Sequence, residues 1–371
     1  MKRLLSAHLF TCMFCASVTA QVKPAVSALQ STTGFSAEQR DIIAEHTAAF
    51  PNGTQLSIAV LKNDSVAFFG VIRENDTLRN IENHQSVFEI GSITKVFTST
   101  LLVQSIQAGI VQLDTPIQQY FSFPLKAGEK DGVPVTLRTL SNHTSGLPRL
   151  TEDLMALAFS NFKNPYKNYG PDEMRKGLEE KMALHSTPGT KNQYSNFGAG
   201  LLGFILTQRS GKSFDQLLED GIFSPYGMNR SSADLDNLKG DLVPGLTATG
   251  DTATNWEFDA LKGAGAILST TEDLSKFMSA NFRADSLLEF QREKTFSVSE
   301  NMDVALGWHI LKPKTGGPWH WHNGGTGGYS SNMVMNTGKK TGVVVLTNVS
   351  SFNAKMSNVE KMCFNLMKML E

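Results

Sequence analysis

Cysteine is nearly missing from this chain. Three occur in 371 residues, and two of them, Cys12 and Cys15, fall within the first twenty positions. Those positions read as a signal peptide. Lys2 and Arg3 are its basic start, Leu4 to Ala16 its apolar run, and Val18-Thr19-Ala20 a small-residue cleavage site before Gln21. The mature chain then keeps only Cys363, so no internal disulfide is available and a C-x-x-C redox motif is excluded. Long apolar runs are absent elsewhere, so no membrane span is expected in the mature chain. Charge of one sign is also lacking. With a net charge of −1, no basic surplus points to nucleic acid and no acidic block points to a tail. A soluble periplasmic or secreted protein follows from these absences.

Chemical signatures are missing too. His143, His185, His309, His320 and His322 are present, but no H-E-x-x-H and no Cys/His cluster of zinc spacing accompanies them. No metal site and no cofactor is therefore expected. No serine has glycine at both −2 and +2, which argues against an α/β-hydrolase elbow.

What is present has a clear distribution. Residues 36–50 form an amphipathic pattern stopped by Pro51-Asn52-Gly53. "TQLSIAVLKND" and "SVAFFGVIREN" are β-rich runs joined at Asn63-Asp64, a hairpin signal. Residues 93–108 read as an apolar helix. "YSNFGAGLLGFILTQRSG" reads as a helix closed by Gly211, and "GAGAILSTTEDLSKFMSANF" as a short strand and a capped helix. "VALGWHIL", "PWHWHN", "GYSSNMVMN" and "GVVVLTN" read as four strands, and residues 354–369 as a closing helix. Strands cluster at about 36–111 and 256–371, whereas about 112–255 is largely helical. The expected class is α+β: one antiparallel sheet flanked by helices, with a mostly helical insertion and a cleft between.

Three short stretches carry chemistry. In Gly91-Ser92-Ile93-Thr94-Lys95 a strand-like run gives way to a helix. Ser92 and Lys95 then share a face, and a lysine of lowered pKa can serve as base for a serine nucleophile. The Ser92 amide at the helix start can donate to an oxyanion. In Tyr194-Ser195-Asn196, a tyrosine near a lysine can act as general base, and Asn196 offers both a donor and an acceptor. The third stretch poses a choice. Lys340-Thr341-Gly342 spells a known triplet, but it sits in "NTGKKTG" between two strands and reads as a hairpin tip. In Trp319-His320-Trp321-His322 the two histidines share a strand face, and Asn323, Gly324 and Gly325 follow.

Together these stretches resemble the class C β-lactamase and DD-peptidase family of active-site serine hydrolases. "FEIGSITKVFTSTLL", "VTLRTLSNHTSGLP", "PGTKNQYSNFGAGLLG", "GAGAILSTTEDLSKFM" and "WHNGGTGGY" carry the resemblance in order over roughly 36–350. It implies a β-lactamase/transpeptidase-like fold, with Ser92 as the acylated nucleophile and Lys95 and Tyr194 sharing proton transfer. It further implies Asn196, His322 and Gly324 as substrate-binding residues, and the amides of Ser92 and Gly325 as the oxyanion hole. Class C β-lactamases carry lysine in the third motif, and here His322 stands there. His-x-Gly occurs in related DD-carboxypeptidases, D-amino-acid peptidases and esterases. The implied substrate is a β-lactam or a D-Ala-D-Ala type peptide of the kind found in cell walls, with an ester or a non-catalytic penicillin-binding role as alternatives. A non-catalytic relative would be expected to have lost Ser92, Lys95 or Tyr194. A titrating His322 would make turnover of anionic substrates fall as pH rises through about 6.5.

Overall fold

The structure is a computed structural model and describes residues 29–30 and 34–371. The expected signal peptide, with Cys12 and Cys15, lies outside the described residues. The described strands are β1 (Gln55–Lys62), β2 (Ser65–Glu74), β3 (Thr77–Ile81), β4 (Phe88–Glu89), β5 (Glu129–Lys130), β6 (Val133–Pro134), β7 (Leu268–Ser269), β8 (Phe296–Ser299), β9 (Met302–Val304), β10 (His309–Leu311), β11 (Trp319–Gly325), β12 (Ser330–Asn336) and β13 (Thr341–Thr347).

Nine of them form one sheet in the order β3-β2-β1-β13-β12-β11-β10-β9-β8. The two ends of the chain meet at its centre, where β1 runs antiparallel to β13 with Leu56 opposite Thr347 and Lys62 opposite Thr341. The period-2 alternation of strand side chains sorts this centre into two faces. Leu56, Ile58, Val60, Val334, Val343 and Val345 pack on one side with Ile43 and with Val359, Met362 and Leu366 of the last helix. Ala59, Leu61, Met333, Met335, Val344 and Leu346 pack on the other side against the bulk of the helices. A sheet covered on both faces explains the near-continuous apolar run of β13.

Local chemistry sets the boundaries. The first helix, Ala37–Thr47, starts at a Ser36/Gln39 capping box and ends before the anticipated residue 50. β1 and β2 are joined by Asn63-Asp64, with Asn63 at φ 54°, a conformation its short polar side chain tolerates. Helix Thr94–Gln107 is buried on nearly every side, so it serves as a central core helix rather than a surface one. Helix Asn196–Ser210 ends at Gly211, φ 69°. Helix Thr271–Ala280 is capped by Thr270. Helix Ser357–Lys368 closes the chain. Between residues 112 and 255 the described strands are only the two-residue β5 and β6.

One strand expectation is corrected. "VALGWHIL" is not a single strand. Val304 ends β9 and His309 begins β10, with Gly307 at φ 72° turning between them. A Cβ at Gly307 would meet Ser99 and the Lys95 carbonyl, so this turn packs directly on the central helix.

Candidate active site

β4 pairs with β7, and the Ile90 amide donates to the Ile267 carbonyl at 3.0 Å. The chain then reverses at Gly91 (φ 49°) into a tight turn, Gly91–Ile93, that leads into helix Thr94–Gln107. Ser92 therefore lies in this turn rather than in the helix itself. Side chains fasten the turn from two directions. Ser331 of β12 donates to the Ile90 carbonyl at 2.8 Å, and Thr94 accepts from the Ile267 amide at 3.1 Å.

The nearest strand end is the Gly324-Gly325 end of β11. A Cβ on Gly91 would stand 2.6 Å from the Gly325 nitrogen, and one on Gly324 would stand 2.9 Å from the Ser92 nitrogen and collide with the Ile90 carbonyl. Backbone thus packs directly on backbone here, which only glycine permits. The amides of Ser92 and Gly325 are brought to the same edge of the cleft.

Lys95 Nζ lies 3.0 Å from Ser92 Oγ and donates to the Ala264 carbonyl at 2.7 Å. The lysine is 2% exposed. Burial, with the Arg149 charge second, holds its amine well below the usual lysine range. Tyr194 hydrogen-bonds Ser92, and Lys95 Nζ sits 4.9 Å from the centre of its ring. Burial raises the Tyr194 phenol, so it is held protonated rather than driven toward phenolate. Of the two basic groups anticipated from sequence, the amine is the one suited to accept a proton.

The Tyr194 loop is held by the segment 143–149. Ser195 caps the following helix by accepting from the Gly198 amide at 2.8 Å and itself donates to the Pro148 carbonyl at 2.6 Å. Its own amide donates to His143 Nδ1 at 3.2 Å. The Arg149 carbonyl accepts from the Asn196 and Phe197 amides at 3.0 and 3.1 Å. Asn196 does not reach Lys95. Its Nδ2 donates to the Tyr166 hydroxyl at 2.9 Å, while Oδ1 is buried without a partner.

His322 is 1% exposed on β11. Its Nδ1 donates to the Asn323 carbonyl at 2.7 Å, which leaves Nε2 as a buried lone-pair acceptor without a partner. Burial, with His309 second, pushes its pKa well below 6.5. The titration expected near neutrality is therefore replaced by a neutral imidazole. His143, His309 and His322 surround Tyr194, with ring centroids 4.3, 6.5 and 6.3 Å away. His320 shares the His322 face and packs on Trp308 at 6.3 Å. Among the described residues no group of three or more His, Cys, Asp or Glu is placed to hold a metal ion. Lys340 is exposed at φ 52° in the β12–β13 turn, while Thr341 and Gly342 begin β13.

A cleft of about 300 Å³ opens over Ser92. Its lining includes Arg149, Tyr166, Asn196, Trp256, Phe258 and Gly325. The outer wall is apolar. Phe159 is 77% exposed, Phe162 67%, Phe352 55% and Met155 44%, and all four line this cleft. Arg149, Tyr166, Trp256 and Phe258 went unremarked in the sequence.

Comparison with known proteins places the chain in a family. The Beta-lactamase family profile matches residues 45–359. The D-alanyl-D-alanine-carboxypeptidase/endopeptidase AmpH of Escherichia coli is 29% identical, covering 93% of this chain and 91% of its own. A solved beta-lactamase/D-alanine carboxypeptidase from Yersinia pestis is 25% identical with a TM-score of 0.69, covering 85% of this chain and 93% of its own. An octameric penicillin-binding protein homologue from Pyrococcus abyssi, 23% identical, shares the fold with a TM-score of 0.75 over 90% of this chain and 76% of its own. With this match over most of its length, the chain belongs to the Beta-lactamase family and is a serine hydrolase of the β-lactamase/DD-peptidase type.

Proposed function

We propose that this protein is an exported acyl-serine hydrolase that cleaves the amide bond of a D-Ala-D-Ala type peptide. The observation that carries this reading is the convergence of Lys95 Nζ and the Tyr194 hydroxyl on Ser92 Oγ at the floor of one cleft. The neutral Lys95 amine takes the Ser92 proton as Oγ attacks the carbonyl. The amides of Ser92 and Gly325 hold the oxyanion that forms. The proton passes to the leaving nitrogen through the Tyr194 hydroxyl, which donates as it accepts from Lys95. Water then releases the acyl group by the reverse route, with Lys95 as base. Asn196 Oδ1 and His322 Nε2, both buried acceptors without partners, are suited to substrate N–H groups. Histidine at position 322, where class C β-lactamases carry lysine and related DD-carboxypeptidases carry histidine, speaks for a peptide over a β-lactam. Export rests on the N-terminal sequence, and no helix among the described residues is long and apolar enough to cross a membrane.

The experiment is release of D-alanine from diacetyl-Lys-D-Ala-D-Ala beside turnover of benzylpenicillin. Faster turnover of the peptide, abolished by Ser92→Ala, is expected. Penicillin as the better substrate would reverse the assignment. A second reading, an esterase, is favoured by the four exposed apolar side chains at the cleft mouth. It predicts that turnover of p-nitrophenyl esters rises from acetate to hexanoate while the peptide is untouched.

A further inference from the structure

The charge inventory of the cleft is unusual. His322 is neutral, and Lys95 is buried with its amine held far below its ordinary range. Among the described residues that line the cleft, the one charged side chain is Arg149. Its guanidinium has no hydrogen bond or ion pair with any described residue. It rests on the Tyr194 ring, 5.2 Å from the centroid. Stacking holds the plane of a guanidinium and leaves its rim of N–H donors open. The backbone of Arg149 is fixed as well, since its carbonyl accepts the two amides that open helix Asn196–Ser210. A cation fixed at both ends, beside an aromatic ring that touches Ser92 and facing an apolar wall, is a built anion receptor. In such surroundings an anion gains more from pairing than it would in open water.

We propose that Arg149 binds a carboxylate of the substrate, and so is the residue that makes the enzyme select carboxylate-bearing acyl compounds; this rests on the acyl-serine reading above. Arg149 and Ser92 line the same cleft and both contact Tyr194, so the carboxylate is held in the cleft that also receives the scissile carbonyl. A peptide ending in a free D-amino acid meets that requirement, and so does an ester whose leaving group is a hydroxybenzoate. The task a permanent cation would perform on β11 is performed here by a residue of the 143–149 segment that lines the same cleft.

A pair of aryl esters tests this without assuming a peptide substrate. Both carry the same N-acylglycyl group; one leaves as 3-hydroxybenzoate and the other as phenol. kcat/KM is measured for each at pH 7.5 with the wild type, Ser92→Ala, Arg149→Gln and Arg149→Lys, with the Tm of each variant. The wild type is expected to favour the carboxylate ester by about tenfold or more, the scale of a charge-assisted hydrogen bond. Arg149→Gln is expected to bring that ratio near one, through KM more than kcat, and Arg149→Lys to restore part of it. An unchanged ratio in Arg149→Gln, or an equal loss on both esters, overturns the proposal and makes Arg149 a support for Tyr194 only. Turnover of the phenyl ester that survives Ser92→Ala overturns the acyl-serine reading instead, and the proposal with it.

Discussion

Lys95 Nζ stands 3.0 Å from Ser92 Oγ inside a shell that leaves the lysine only 2% exposed. Burying an amine without a carboxylate partner costs stability, and this fold accepts that cost beside its candidate nucleophile. Lys95→Met fills the same space without the amine. Ester turnover should fall by about a thousandfold, while unfolding in urea should show a gain on the order of 1 kcal/mol. Loss of both activity and stability would mean that Lys95 is chiefly a structural tether to the Ala264 carbonyl.

The pH profile follows from the same group. The amine must be unprotonated to accept the serine proton, so activity on a neutral ester should fall only on acidification, as Lys95 gains its proton. Arg149 is the second cause of the lowered Lys95 pKa. Arg149→Gln should therefore move the acid limb to higher pH. Burial keeps His322 neutral, so no limb near pH 6.5 is expected from it. A limb at pH 6.5 that disappears in His322→Ala would contradict this account.

One residue from each of the two candidate third motifs gives a direct contrast. Gly324→Ala places a methyl group against the Ile90 carbonyl and 2.9 Å from the Ser92 nitrogen, where the backbone has no room to move. Turnover should drop by about a hundredfold, the scale of losing one oxyanion donor. Lys340→Ala, on an exposed turn, should stay within about twofold of wild type in the same assay. Equal damage from the two would return Lys340-Thr341-Gly342 to consideration.

That choice was legible from sequence because it rests on local chemistry. The "NTGKKTG" run reads as a turn, and the glycines after His322 mark a close backbone approach. The Asn63-Asp64 hairpin and the Gly211 stop were legible for the same reason. Arg149 was not, because nothing around it in sequence says that its carbonyl caps a helix forty-odd residues away or that its side chain lies on Tyr194. The state of His322 was hidden likewise. An exposed imidazole titrates near neutrality, and only the packing of His309 and the surrounding sheet against it removes that behaviour. "VALGWHIL" misled because its apolar pattern continues through a turn that packs on the central helix.

Glu89 offers a test of stability rather than turnover. Its carboxylate is buried, accepts from Asn255 Nδ2 at 2.9 Å and from the Trp256 amide at 3.0 Å, and so fixes one wall of the cleft. Burial raises its pKa from 4.5 to about 7. A folded pKa above the unfolded value stabilises the fold fully below pH 4.5, and the contribution is lost as pH rises to about 7. Glu89→Gln should flatten the pH dependence of the unfolding free energy across that window, by on the order of 3 kcal/mol. A slope identical to wild type would show that Glu89 does not control it.

The central claim is that Ser92 carries the acyl group. It is tested most directly by intact-mass and peptide mass spectrometry of the protein quenched in acid during turnover of a slowly released acyl donor such as benzylpenicillin. The account predicts one added acyl group, located on the peptide containing Ser92 and absent from Ser92→Ala. An adduct on another residue, or hydrolysis that persists in Ser92→Ala at the wild-type rate, would contradict it.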